Sequence, residues 1–334
     1  MTEPGLAASP TPSAAGTVPQ RYPTRWMQRL AEETAASPES AEAEAEIELE
    51  SGPAGVGAGI VFVLGLIWLA ATMWTAHASI MGNAGNTAVA LGSAAAALPG
   101  VIAASLLAGA TAGLLATGRF AAEPSGVLRR LLVGLVAGIV LGAVAAGVIL
   151  FGYGVSSSIA LLAITVGAGS ALGGAVAATP RPVFAASLVA TFGVFVVGVI
   201  FNVLQPRLTG VFGAGATVSS QANASQIFAY VQATVGGITA GLIAFWFLRR
   251  HGSRAWPWYL LAGALPGMLL LLTEVLTHLG GASLLGIVKG FSEGDRALVE
   301  FTDFARLRNA MVVLFVGGIA SMIAVGRTMR AVDD

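Results

Sequence analysis

Beyond residue 55 the chain is a succession of apolar runs separated by short polar breaks, and eight of these runs are long enough to cross a bilayer. A hydrocarbon core about 30 Å thick needs about 20 apolar residues of helix. Backbone groups surrounded by lipid must be satisfied within their own segment, so the runs are expected to be helices. The pattern places spans at about 57–79, 94–117, 128–151, 157–178, 183–204, 226–248, 257–279 and 309–328. The expected fold is an all-α integral membrane protein with eight transmembrane helices.

The polar breaks carry an orientation. Arg119, Arg129, Arg130, Arg181, Arg249, Arg250, Arg254, Arg327 and Arg330 all fall in loops on one side, together with Arg21, Arg25 and Arg29 of the N-terminal tail. The other side holds Arg207, Lys289, Arg296, Arg306 and Arg308. Basic residues favour the cytoplasmic side, so both termini are expected there. The first 50 residues contain no apolar h-region, so the first span is expected to serve as an uncleaved signal. The outer segment at about 281–308 is long and mixed in charge. Within it Leu298, Phe301, Phe304 or Ala305, and Leu307 recur at helical spacing, which predicts an amphipathic helix over 294–307 that docks at the interface or caps the bundle.

Composition sharpens this picture only in part. The chain has 17 basic and 17 acidic residues, so net charge points to no nucleic-acid partner. Nine of the acids precede residue 51, most in the run that ends AEAEAEIELE, and residues 1–52 read as a disordered tail. Before that run, RYPTRWMQRL puts Arg21, Arg25 and Arg29 on one helical face, the pattern of a short membrane-surface segment. The absence of cysteine removes disulfides and thiolate metal sites. Sixteen arginines against one lysine, with abundant Ala, Gly and Val, suit a high-GC bacterial genome and a bacterial plasma membrane.

An internal echo divides the spans. GATAGLLA at 109–116 matches GITAGLIA at 237–244 in six of eight positions, and LLVGLVAGIVL at 131–141 aligns with LLAGALPGMLL at 260–270. The fourth and eighth spans align through the dipeptide VG at 166–167 and 316–317. Four spans return the chain to the same side, so the expectation is two tandem, parallel four-helix halves, 53–181 and 182–334. Glycines at four-residue spacing, such as Gly109/Gly113, Gly134/Gly138/Gly142 and Gly263/Gly267, predict close helix packing. These faces and the tail are also the places where protein partners would bind.

Chemistry is sparse. P-loop, HExxH and GxSxG patterns are absent. An ionisable group inside a span is costly and defaults to a functional hypothesis. Glu274 and His278 lie four residues apart near the outer end of the seventh span, downstream of an expected helix break at Pro266 and Gly267. His77 and Asn202 lie at the same outer level and complete the candidate substrate or proton site. No cofactor, metal site or catalytic set is expected. The leading reading is a transporter or permease subunit for a small or amphiphilic molecule. The alternative is a non-catalytic scaffold or regulator of an envelope complex, and the third is a lipid-active intramembrane enzyme using Glu274 and His278. A cavity between the halves would favour transport, and a dry, closed bundle would favour the scaffold.

Overall fold

The computed structural model describes residues 54–83, 85, 87–121, 126–153, 157–215, 217–251, 255–289 and 293–328. The tail expected over 1–52 lies outside these residues, and so do the side chains at 281–303. The chain forms α1 (Ala54–Gly82), α2 (Thr87–Phe120), α3 (Val127–Tyr153), α4 (Ser157–Ala175), α5 (Arg181–Val211), α6 (Val218–Arg250), α7 (Trp256–Lys289) and α8 (Glu293–Gly326). A 3-10 turn, Val176–Ala178, closes α4. All eight helices are long and apolar enough to cross a membrane. No strand occurs among the described residues.

Two helices differ from expectation. The amphipathic stretch at 294–307 is not a separate element; it forms the first turns of α8 and runs straight into the span. No glycine or proline lies between Asp295 and Gly317, so nothing stops the helix at the membrane surface. At 34 residues, α2, α7 and α8 would each extend about 51 Å, well beyond the hydrocarbon core. The expected break at Pro266 and Gly267 is likewise absent, because α7 stays helical on both sides of Pro266. Proline forfeits one ladder bond, a loss that neighbouring helices make tolerable inside a membrane. Here Gly267 lies directly against Leu314 of α8.

The helices are held at backbone distance by glycine. In the first half, α4 lies against both α2 and α3. Gly109 and Gly113 of α2 face the carbonyls of Ser170 and Gly174, while Gly134, Gly138 and Gly142 of α3 face those of Gly174, Ser170 and Gly167. A Cβ at Gly113 would lie 2.9 Å from the Gly174 oxygen and 3.1 Å from the Ala177 Cβ. In the second half, α8 lies in the same way against α6 and α7. A Cβ at Gly241 would lie 2.5 Å from the Gly317 oxygen and 2.7 Å from the Ala320 Cβ, and Gly263 faces the same carbonyl. Hydroxyls tie these junctions across helices. Ser170 Oγ donates to the Ser105 carbonyl at 3.1 Å, and Ser321 Oγ donates to the Tyr259 carbonyl at 2.8 Å.

Helices α1–α4 meet α5–α8 mainly through α2 and α7, with α7 also against α4. Leu98, Ile102 and Leu106 of α2 and Leu265, Leu269 and Leu276 of α7 form one buried cluster along this seam. On the other flank, α1 packs on α2 and touches α5, where Trp68 and Phe195 stack at 5.3 Å.

The glycine junction makes a direct prediction. Gly174→Val drives a side chain into the Gly134 carbonyl and toward the Gly138 Cα. Overpacking of this kind costs about 1–3 kcal/mol, read as a lowered unfolding temperature in detergent. Gly59→Val meets nothing within 4 Å and leaves the temperature unchanged.

Candidate functional site

The middle third of α7 concentrates the polar residues of the candidate site. Thr273, Glu274 and Thr277 are buried, whereas His278 is exposed. The hydroxyls turn inward on their own helix: Thr273 Oγ1 donates to the Leu269 carbonyl at 2.9 Å and Thr277 Oγ1 to the Thr273 carbonyl at 2.8 Å. His278 Nδ1 lies 2.9 Å from the Glu274 carbonyl. Threonine can bond to a carbonyl one turn back, which explains how these groups are satisfied inside a span.

The carboxylate of Glu274 meets an arginine from the next helix. Arg306 Nε donates to Oε1 at 3.1 Å and to Oε2 at 3.3 Å. Its side chain is 27% exposed against 8% for Glu274, so the pair lies at the edge of the bundle with its acidic end inside. A charged hydrogen bond to a guanidinium is among the stronger ways to compensate a carboxylate removed from water. Two residues on, Arg308 faces the other way, because positions i and i+2 of a helix are about 200° apart. Its guanidinium lies 4.2 Å from the Tyr230 ring centroid on α6. The outer part of α8 thus holds α7 by an ion pair and α6 by a cation–π contact.

Of the other expected members of the site, His77 is half-buried on α1 and Asn202 is exposed on α5. The structure brings Glu274 to Arg306. Among the described residues, no group of three or more His, Asp or Glu could hold a metal ion.

A second feature was missed in the sequence. Between the C-terminal part of α1 and the N-terminal part of α2 lies an open groove of about 480 Å³ lined by Thr72, Thr75, Ser79 and Ser93 and by Ala76, Ala96, Ala97, Gly100 and Val101. Thr72, Thr75 and Ser79 bond to carbonyls of their own helix. Asn83 Nδ2 donates to Ser93 Oγ at 3.3 Å and ties the helices at the outer end. The signal was the spacing of hydroxyls at 72, 75 and 79, one face of a helix. Arg306 was missed as a partner because the sequence counts it only as a loop charge.

Comparison with protein-family models, with curated proteins and with solved structures gives no match, so the functional reading rests on this geometry.

The Glu274–Arg306 pair can be measured by a double-mutant cycle. Glu274→Leu and Arg306→Met each leave one buried or half-buried charge uncompensated and lower stability. The double variant recovers part of the loss, with a coupling of about 0.5–3 kcal/mol. Strictly additive effects in thermal unfolding would show that the two side chains do not interact.

Proposed function

We propose that the protein is a non-catalytic membrane scaffold or regulator whose halves are fastened together as one unit. The observation that carries this reading is the leucine seam between α2 and α7. Transporters built of repeats place their substrate site between the repeats and work by rocking one against the other. Here that position is filled by Leu98, Ile102, Leu106, Leu265, Leu269 and Leu276. The engagement of Glu274 by Arg306 supports the same reading, since it gives the carboxylate a structural task. The groove between α1 and α2 supports a second reading, a permease subunit that receives a small or amphiphilic molecule from the outer leaflet.

The halves themselves read as a tandem, parallel duplication. Four packing relations recur in order: α1 on α2, α2 on α3, α2 on α4 and α3 on α4 match α5 on α6, α6 on α7, α6 on α8 and α7 on α8. The glycine contacts support a residue register. Gly113 with Gly174 and Ala177 corresponds to Gly241 with Gly317 and Ala320, and Gly134 with Gly174 corresponds to Gly263 with Gly317. This register pairs Gly174 with Gly317, in place of the VG dipeptides. The setting is a bacterial plasma membrane with both termini cytoplasmic. Its support is the row of Arg119, Arg129, Arg130, Arg181, Arg249, Arg250 and Arg327 at the ends of helices on one side.

Locking the seam separates the two readings. The chain has no cysteine, so Ile102→Cys with Leu269→Cys can be bridged by a short bifunctional thiol reagent. A scaffold so locked still complements a deletion strain; a transporter that rocks about the seam loses activity until the bridge is cleaved. Topology is tested in intact cells. Cysteines at Ser156 and Ala282 should react with a membrane-impermeant thiol reagent, and one at Ser253 should not. Labelling at Ser253 would invert the assignment.

A further inference from the structure

The tandem register exposes an imbalance. The second half sends α7 across to pack on α2 and α4 of the first half, but α3, the counterpart of α7, packs on neither α6 nor α8. One chain therefore contains one filled seat and one empty one. Gly134/Gly263 and Gly138/Gly267 fix the separation of α3 and α7 at 129 residues. Leu265 and Leu269, 2% and 4% exposed in the seam, then correspond to Val136 and Val140, which are 58% and 60% exposed. Gly280, which lies against Thr165, corresponds to Phe151, 96% exposed. Leu276 corresponds to Gly147, where an added Cβ would meet nothing within 4 Å.

The seat has a counterpart too. Ile102 and Leu106 of α2 are buried under α7. They correspond, 128 residues on, to Tyr230 and Thr234 of α6, both exposed. Thr234 Oγ1 donates to the Tyr230 carbonyl of its own helix and the Tyr230 ring carries the Arg308 guanidinium, so this seat is polar where the filled one is apolar. Thr165 and Gly169 of α4 correspond, 143 residues on, to Arg308 and Val312 of α8, again beside the uncovered face.

We propose that a second copy of this chain fills the empty seat, with its α3 lying on α6 and α8 as α7 lies on α2 and α4 within the chain. The inference rests on the tandem duplication put forward above. The sizes are complementary. Within the chain Leu276 Cδ1 comes 3.7 Å from the position of a Cβ on Gly169. Between copies the same contact becomes Gly147 against Val312, large and small exchanged. Gly280 against Thr165 becomes Phe151 against Arg308, an aromatic face offered to a guanidinium. Both copies cross the membrane in the same sense, because α3 and α7 run in the same direction in parallel halves. Each copy carries one plug and one seat on different surfaces, a head-to-tail contact, and a pair that exchanges plugs is the smallest assembly that leaves neither face open.

The test uses the full chain in its membrane. Two differently tagged copies are co-expressed, one carrying Gly147→Cys and the other Val312→Cys, and oxidised. The expected result is a disulfide-linked pair bearing both tags, together with two copies per particle in single-molecule photobleaching of the unmodified chain. Val199→Cys lies on an exposed part of α5 outside both plug and seat, and with Val312→Cys it should give no such product. The bridged Ile102→Cys/Leu269→Cys chain reports the seam within one copy. If that bridge forms while Gly147→Cys links no better than Val199→Cys and particles hold one copy, the dimer is overturned and the fold stands. If the bridge fails as well, the seam itself is wrong, and the scaffold and the register fall with the dimer.

Discussion

Backbone-to-backbone contact through glycine is the constraint on which the rest of this bundle depends. Within lipid there is little hydrophobic gain from bringing two apolar helices together, so association relies on van der Waals contact and on polar links between helices. Gly109, Gly113, Gly134, Gly138 and Gly142 let α4 lie against α2 and α3 with backbone carbonyls among the nearest atoms across the gap. The interior is accordingly rich in alanine: Ala104, Ala108, Ala163, Ala186, Ala190, Ala240 and Ala244 are all buried. On α3 the large side chains Ile139, Val144 and Val148 are exposed, while the leucines of the α2–α7 seam are buried.

Polar groups inside the bundle follow from the same closeness. Thr111, Thr117, Ser187 and Thr191 are buried and donate to carbonyls of their own helices. Such back-bonding satisfies a hydroxyl with no second helix, so it survives where packing leaves no room for a partner. Ser170 and Ser321 instead donate across helices, at the two junctions where glycine brings a foreign carbonyl within reach.

Most of the architecture was legible because the constraint of lipid is severe. Length and hydropathy placed all eight helices. Two things were not legible. Where helices stop depends on breakers, and the polarity of residues 294–307 signals solvent exposure without ending the helix, so α8 was read too short. Who meets whom depends on rotation about the helix axis. Sequence position leaves azimuth open, and azimuth put Arg306 at Glu274. The tail at 1–52 gave a charge pattern that lies outside the described residues.

The proposed register also gives the Glu274–Arg306 pair a structural meaning. Shifted back by 129 and 143 residues, the two positions become Ala145 and Ala163, which are buried in one cluster between α3 and α4. The same place in the bundle is thus held by two methyl groups in one half and by an ion pair in the other. The difference tracks the run of glycines. Along α3 three glycines, at 134, 138 and 142, face α4 backbone. Along α7 the series stops after Gly263 and Gly267, and the next position is Leu271. Beyond it α7 and α8 meet through longer side chains, the glutamate and the arginine. An ionisable side chain in a span defaults to a functional hypothesis, but here its counterpart in the other half is a packing contact. On that register the Glu274–Arg306 pair joins α7 to α8 where alanines stand in the first four helices.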